Sequence, residues 1–248
     1  LPCTDMAYEG EKILAPTASE PPPSSHTETF ELPGGHHIEV PPALGKIMHR
    51  TLEAQALVDQ RKEELSVMGM DIEETNTGID ELVDWLRNMN CHKPVLFARG
   101  EISEEQLTAM AYIDEADAAG KFRQRPDTAG HPEVIKLLEE NPDKVIVNHE
   151  DVEAYLTEHA SEGPFSVHVI RKRQPGEAHY EGEHDVWRPA HSFIFLGLDE
   201  AGNKMCFHKR GPTLHMRVEV TTMEKIMEPY HDTVSQFLVL PMKERDAE

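Results

Sequence analysis

The stretch "HSFIFLGLDEAGNKMCFHKRG", residues 191–211, decides the fold. "HSFIFLGLD" is a compact apolar run of strand length, "DEAGN" has the composition of a turn, and "NKMCFHKRG" reads as the returning strand. His191 and His208 stand near the outer ends of this hairpin. Side chains alternate faces along a strand, so the loop length decides whether the two rings meet. An even loop puts them on one face, and a four-residue loop at 199–202 sets His208 opposite Phe193, about one pleat from His191. An odd loop puts them on opposite faces unless a bulge restores the register.

The neighbouring segments extend the same pattern. "FSVHVIRKR" (165–173) alternates and is rich in β-branched residues, and "EAHYEGEHD" after it is a polar loop. "MRVEV" and "SQFLVLPM" read as further strands, with a short helix in "TTMEKIMEPY" between them. Upstream the period changes to that of helices. Apolar residues from Leu44 to Leu65 recur at helical spacing, with Pro41 and Pro42 at the start and Gly69 at the stop. "GIDELVDWLRNM" is a second helix. "SEEQLTAMAYIDEADAAGKF" (103–122) reads as another, opened by a Ser103–Gln106 capping box. "HPEVIKLLEEN" and "NHEDVEAYLTEHA" are helical, with "DKVIV" a strand between them. Helices first and then a mostly antiparallel sheet make an α+β protein. Residues 1–40, rich in Pro, Ser, Thr and Glu, read as a disordered or extended lead-in, and 41–248 as a single α+β domain.

The chain carries 24 basic and 46 acidic residues, a net charge of -22. Such a surface repels phosphate backbones and anionic membranes, so nucleic-acid binding through a basic patch is excluded. No run approaches the ~20 apolar residues of a membrane helix. The three cysteines, Cys3, Cys91 and Cys206, form no disulfide framework and fit a reducing compartment, while no h-region follows the N-terminus. A cytoplasmic location is the expectation.

One cysteine is placed where chemistry is favoured. In "RNMNCHKPVLFARG" (87–100), Pro94 is tolerated only in the first helical turn, and Gly100 has the character of a helix stop. Asn90 then serves as N-cap and Cys91 takes the first helical position. A thiol at a helix start gains a favourable dipole, which lowers its pKa, and backbone N–H groups able to hold an oxyanion. A thiolate also needs a base, and the base an orienting group. Cys91, His191 and His208 supply the set in that order.

With these residues placed, the pattern resembles the NlpC-like branch of the papain-fold cysteine peptidases and amidases. "HSFIFLG" is similar to that family's "HVGIYLG" phrase, "NCHKPVLFARG" to its cysteine helix, and "CFHKRG" to the strand carrying its third residue. The resemblance spans about residues 78–242. It implies Cys91 as nucleophile, His191 as general base and acid, and His208 as the group orienting His191. About 100 residues separate Cys91 from His191, more than is usual in the family, and the extra length falls in a helical insert at about 103–160. Met89 and Asn90 stand where the family often has an aromatic residue.

The expected activity is hydrolysis of a peptide, isopeptide or cell-wall-type amide through a Cys91 acyl-enzyme, or acyl transfer to an acceptor other than water. No cofactor is called for. The alternative is a catalytically inactive binding module of the same fold serving protein partners. A metal reading rests on His179, His184, His191, Cys206 and His208, which lie in one region without a compact ligand spacing. Trp85 is expected in the core. Trp187 is expected either at a substrate cleft or over the sheet edge.

Overall fold

The segment Phe165–Lys172, rich in β-branched residues, and the segment Trp187–Leu198, with its apolar run Phe193–Leu196, become the central pair of strands in the computed structural model of the chain. The structure describes residues 27–32, 35, 37–72, 81–108, 112–116, 122–126, 130–176, 184–211, 213–230 and 236–242. In chain order the elements are β1 (Glu28–Glu31), β2 (His37–Val40), α1 (Pro42–Val67), α2 (Glu81–Arg87), α3 (Lys93–Arg99), α4 (Glu104–Thr108), β3 (Tyr112–Ala116), β4 (Phe122–Pro126), α5 (His131–Glu140), β5 (Val145–Ile146), α6 (His149–Glu158), β6 (Phe165–Lys172), β7 (Trp187–Leu198), β8 (Lys204–Lys209), β9 (Val218–Thr222), α7 (Met223–Met227) and β10 (Gln236–Pro241). A 3-10 turn, Glu228–Tyr230, extends α7. The six-stranded sheet runs β5-β10-β6-β7-β8-β9 and all its pairings are antiparallel. β1–β2 and β3–β4 form separate two-stranded sheets.

The alternation within the strands sorts side chains onto two faces. Ile194 and Leu196 of β7, Phe207 of β8, and Leu238 and Leu240 of β10 join a core with α1, α2, α3 and α5. Phe193 and Phe195, with Val167, Val169, Phe237 and Val239, form a second core beneath α6 and α7. Helices therefore cover both faces of the sheet, the N-terminal ones on the first core and α6 and α7 on the second. Burial on both faces explains why the middle of β6 and β7 is buried residue after residue, including the polar Ser166, His168, His191 and Ser192.

α1 starts at Pro42 and ends before Gly69, which takes a left-handed φ of +69°. α3 ends in a Schellman arrangement: Gly100 adopts φ 74°, its N–H reaches the Phe97 carbonyl at 2.8 Å, and the Glu101 N–H reaches Leu96 at 2.9 Å. Asn148 caps α6, accepting from the Asp151 N–H at 2.8 Å.

Two expectations need correction. The helix expected over 103–122 stops at Thr108, and Tyr112–Ala116 instead pairs with Phe122–Pro126 as a β-hairpin. The Ser103–Gln106 capping box does form, with bonds of 2.8 and 3.2 Å. A local cap starts a helix but cannot sustain it against strand pairing further on, and that pairing overrides the helical propensity of the intervening alanines. The stretch 103–160 is accordingly not a wholly helical insert. It contains a hairpin and β5, which edges the main sheet, and its α6 covers the sheet's second face. Within the N-terminal lead-in, β1 pairs with β2, and Phe30, Leu32 and Val40 are buried in the first core, so this segment contributes packing.

Candidate functional site

The hairpin β7–β8 brings His191 and His208 together. Its loop spans the five residues between Leu198 and Lys204, an odd number that alone would separate the rings. The register shifts between Phe195 and Gly197, so Leu196 is an extra residue on β7, and Ile194 pairs with Phe207. That register points His208 to the position opposite Phe193. The bulge cancels the odd loop. A second bulge, on the β6 side, makes Ala190 the extra residue directly before His191. The outcome is a hydrogen bond of 2.9 Å between His191 Nε2 and His208 Nδ1, with both rings buried.

The two nitrogens of His191 have different surroundings. Nε2 is held by His208, while Nδ1 is buried with no hydrogen-bond partner among the described residues. The ring stacks on Tyr230, with centroids 5.5 Å apart and planes 19° from parallel. Burial, with the nearby His208 and Arg210, holds His191 well below the usual histidine range, so it is neutral at pH 7. On the far side of His208, Glu219 Oε1 lies 3.5 Å from Nε2 and is bonded to Arg210 Nε at 2.8 Å. The neighbouring His208 and then the Arg210 charge lower the Glu219 carboxyl to about 2.

Cys91 stands at the entrance of α3. Asn90 Oδ1 accepts from the His92 N–H at 2.9 Å and the Lys93 N–H at 3.1 Å, but α3 begins at Lys93 with His92 at its N-cap, so Cys91 stands two residues before the helix and not at its expected first position. The thiol receives the backbone N–H of Ser192, the residue after His191, and sits near the Lys209 charge and Tyr230. The β7–β8 pairing begins only at Ile194↔Phe207, and the Ser192 N–H is given to sulfur.

The electrostatics differ from the expectation of a depressed thiol pKa. Cys91 is only 9% exposed, and burial pushes its thiol up to about 11 despite the Ser192 N–H, the Lys209 charge and its own N–H. Desolvating a thiolate costs more than a seven-residue helix start returns. The N–H groups of His92 and Lys93 are also committed to Asn90, so they do not form the free oxyanion donors expected of this turn.

Several residues of the site carried no signal in the sequence. On the α3 face of β7, Ser192 Oγ is 2.7 Å from His92 Nδ1 and 2.8 Å from His168 Nδ1, all three groups being buried. A hydroxyl has one proton, so it donates to one ring and accepts from the other. Burial lowers His168 to about 3 and holds His92 well down, so both rings are neutral. Lys209, also buried, extends its ammonium to the carbonyls of Gly211, Thr213 and Met216 and pins the loop after β8. Tyr230 ends the phrase "TTMEKIMEPY", which read only as a short helix. A cavity of about 350 Å³ opens beside the pair, lined by His191, His208, Arg210, Lys225 and Tyr230 among others. Cys91 is not part of its lining.

Among the described residues, no group of three or more His, Cys, Asp or Glu side chains is placed to hold a metal ion. Of the residues in the metal reading, His179 lies outside the described residues. His184 Nδ1 instead accepts the N–H groups of Val186 and Trp187. Cys206 is buried in the second core. Trp85 is core, with the Arg50 guanidinium 4.4 Å above its ring. Trp187 packs against the first core and does not line the cavity beside His191. No helix among the described residues is long and apolar enough to cross a membrane.

Comparison with known proteins found no matching family model, no matching curated protein and no matching solved structure.

Proposed function

We propose that the chain is a thiol hydrolase of papain-like, NlpC-like fold that cleaves a peptide or other amide bond through an acyl-enzyme on Cys91. The observation that carries this reading is the division of labour on His191: Nε2 is held by His208 while Nδ1 is left buried without a partner among the described residues. An unsatisfied buried nitrogen costs roughly 1–3 kcal/mol. It makes sense as a proton acceptor kept open for a reacting group. In this reading the proton comes from the Cys91 thiol, which receives the backbone N–H of Ser192.

Thiol and imidazole are both neutral at rest, so the route is general-base attack without a pre-formed ion pair. As sulfur bonds to the carbonyl carbon, His191 Nδ1 takes the thiol proton. Collapse of the tetrahedral intermediate breaks the C–N bond, and the same proton passes to the departing amine. Water, deprotonated by His191, then cleaves the thioester and restores the thiol. His208 holds the ring throughout.

The burial and raised pKa of Cys91 favour a second reading, a binding module of the same fold that does not turn over. p-Nitrophenyl acetate separates the two. The hydrolase reading expects acetylation of the Cys91 peptide with release of nitrophenol, slowed about 100-fold or more in His191→Ala. Acetylation that ignores His191, or that misses Cys91, would leave the binding module.

A further inference from the structure

We propose that Glu219 is a positioning residue that fixes which nitrogen of His191 carries the proton, acting through His208. The proposal rests on the reading of Cys91 and His191 as nucleophile and base, and it adds a fourth member to the set.

Glu219 is placed by the sheet itself. β8 and β9 pair with His208 directly opposite Glu219, so the two side chains share a face. The carboxylate Oε1 is 3.5 Å from His208 Nε2, and that nitrogen has no hydrogen-bond partner within closer reach among the described residues. Arg210 Nε, 2.8 Å from the same oxygen, holds the carboxylate in place. His208 then meets His191 through its other nitrogen, Nδ1, at 2.9 Å.

With His208 in its neutral form, the consequence follows from counting protons. A neutral imidazole has one N–H and one lone pair, and the bond made by one nitrogen sets the state of the other. A carboxylate can only accept, so it draws the His208 proton to Nε2. His208 Nδ1 is left with its lone pair and accepts from His191 Nε2–H. His191 Nδ1 in turn presents a lone pair, as a base for the thiol must. In the opposite arrangement the His208 Nε2 lone pair faces the carboxylate, and His191 Nδ1 already carries a proton and cannot take one. Glu219 thus selects between a competent and an incompetent base without touching the reacting atoms.

Long-range proton–nitrogen NMR on histidine-labelled protein reads the tautomers directly, because protonated and unprotonated ring nitrogens differ widely in shift. The expected wild-type result is an unprotonated Nδ1 and a protonated Nε2 on His191. In Glu219→Gln, whose amide can donate as well as accept, the opposite tautomer becomes populated, and acetylation of Cys91 by p-nitrophenyl acetate falls about ten-fold or more. Glu219→Asp, which keeps the acceptor, retains the wild-type tautomer. A protonated Nδ1 in the wild type, or a tautomer ratio unmoved by Glu219→Gln, overturns the proposal. The spectrum needs no turnover, so the outcomes separate cleanly. Correct tautomers with no acyl-enzyme remove the hydrolase reading and keep the proton arrangement, while an acyl-enzyme with tautomers indifferent to Glu219 does the reverse.

Discussion

Raising the pH is the simplest perturbation of Cys91, and the structure fixes how the thiol responds. Burial raises the group from an ordinary 9.0 to about 11, in spite of the Ser192 N–H and the Lys209 charge. Two pH units separate these values, so at pH 7 the thiolate fraction is about 100-fold smaller than in an ordinary cysteine. Alkylation by iodoacetamide runs through the thiolate, and peptide-resolved mass spectrometry follows Cys91 apart from Cys3 and Cys206. In the folded protein the Cys91 peptide reacts about 100-fold or more slowly at pH 7 than in the urea-unfolded chain. Its rate climbs about ten-fold per pH unit through pH 10 without levelling. His191→Ala leaves this profile in place, because a neutral imidazole contributes no charge to the thiol. A rate that levels off below pH 8 would refute the reasoning, since it requires a thiolate stabilised at rest against imidazolium.

The Ser192 network is predicted to be a stability element. Ser192→Ala removes two buried bonds and leaves two imidazole nitrogens unsatisfied, a cost of about 2–4 kcal/mol, read as a lower urea midpoint at constant slope; a change under about 0.5 kcal/mol would contradict it. Acid weakens the fold for a related reason. His92, His168 and His191 each bind a proton more weakly folded than unfolded, so the stability they contribute is complete above about pH 6.5 and is lost as pH falls toward the folded values, which for His168 is about 3. Each ring removes about 1.4 kcal/mol per pH unit within that window, and urea midpoints at pH 7, 6 and 5 should fall in order; equal midpoints at 7 and 5 would show that these rings are not held neutral. Gly130 sits at φ +94° against α3, where an added Cβ would lie 2.9 Å from Leu96 Cδ1 and 3.0 Å from His92 Cβ. Gly130→Ala is expected to cost about 1–3 kcal/mol by the same urea measurement, and a neutral result would mean that the loop shifts freely.

Elements governed by local rules were legible in the sequence. Pro42 and Gly69 bound α1, and Asn90 and Gly100 bracket the Cys91 turn, because proline, glycine and capping residues act within a few positions of themselves. The hairpin of His191 and His208 was legible down to its dependence on register. The helix expected after Ser103 failed where a partner strand intervened, and no pattern inside that segment announces the partner. The direction of the Cys91 pKa also escaped the sequence. The helix start is a local feature and favours a lower value, but burial is set by Ser192, Tyr230 and the sheet, which arrive from 100 residues or more away. Glu219, Tyr230 and the His92–Ser192–His168 group were invisible for the same reason: each acquires its role only through strand pairing or packing across the sheet.

The bulge at Leu196 has an evolutionary corollary. Loops usually tolerate gained or lost residues, and the exposed tip after Leu198 is the kind of place where such length changes accumulate. Here the residue count between His191 and His208 is tied to their pairing. Losing one residue from the tip while the bulge persists turns His208 to the opposite face, whereas losing one at the tip together with the extra residue on β7 restores it. Length changes in this hairpin should therefore be inherited in compensating pairs, and a single one, about 13 Å along β8 from His208 and about 23 Å along β7 from His191, would act on the site as severely as replacing a histidine.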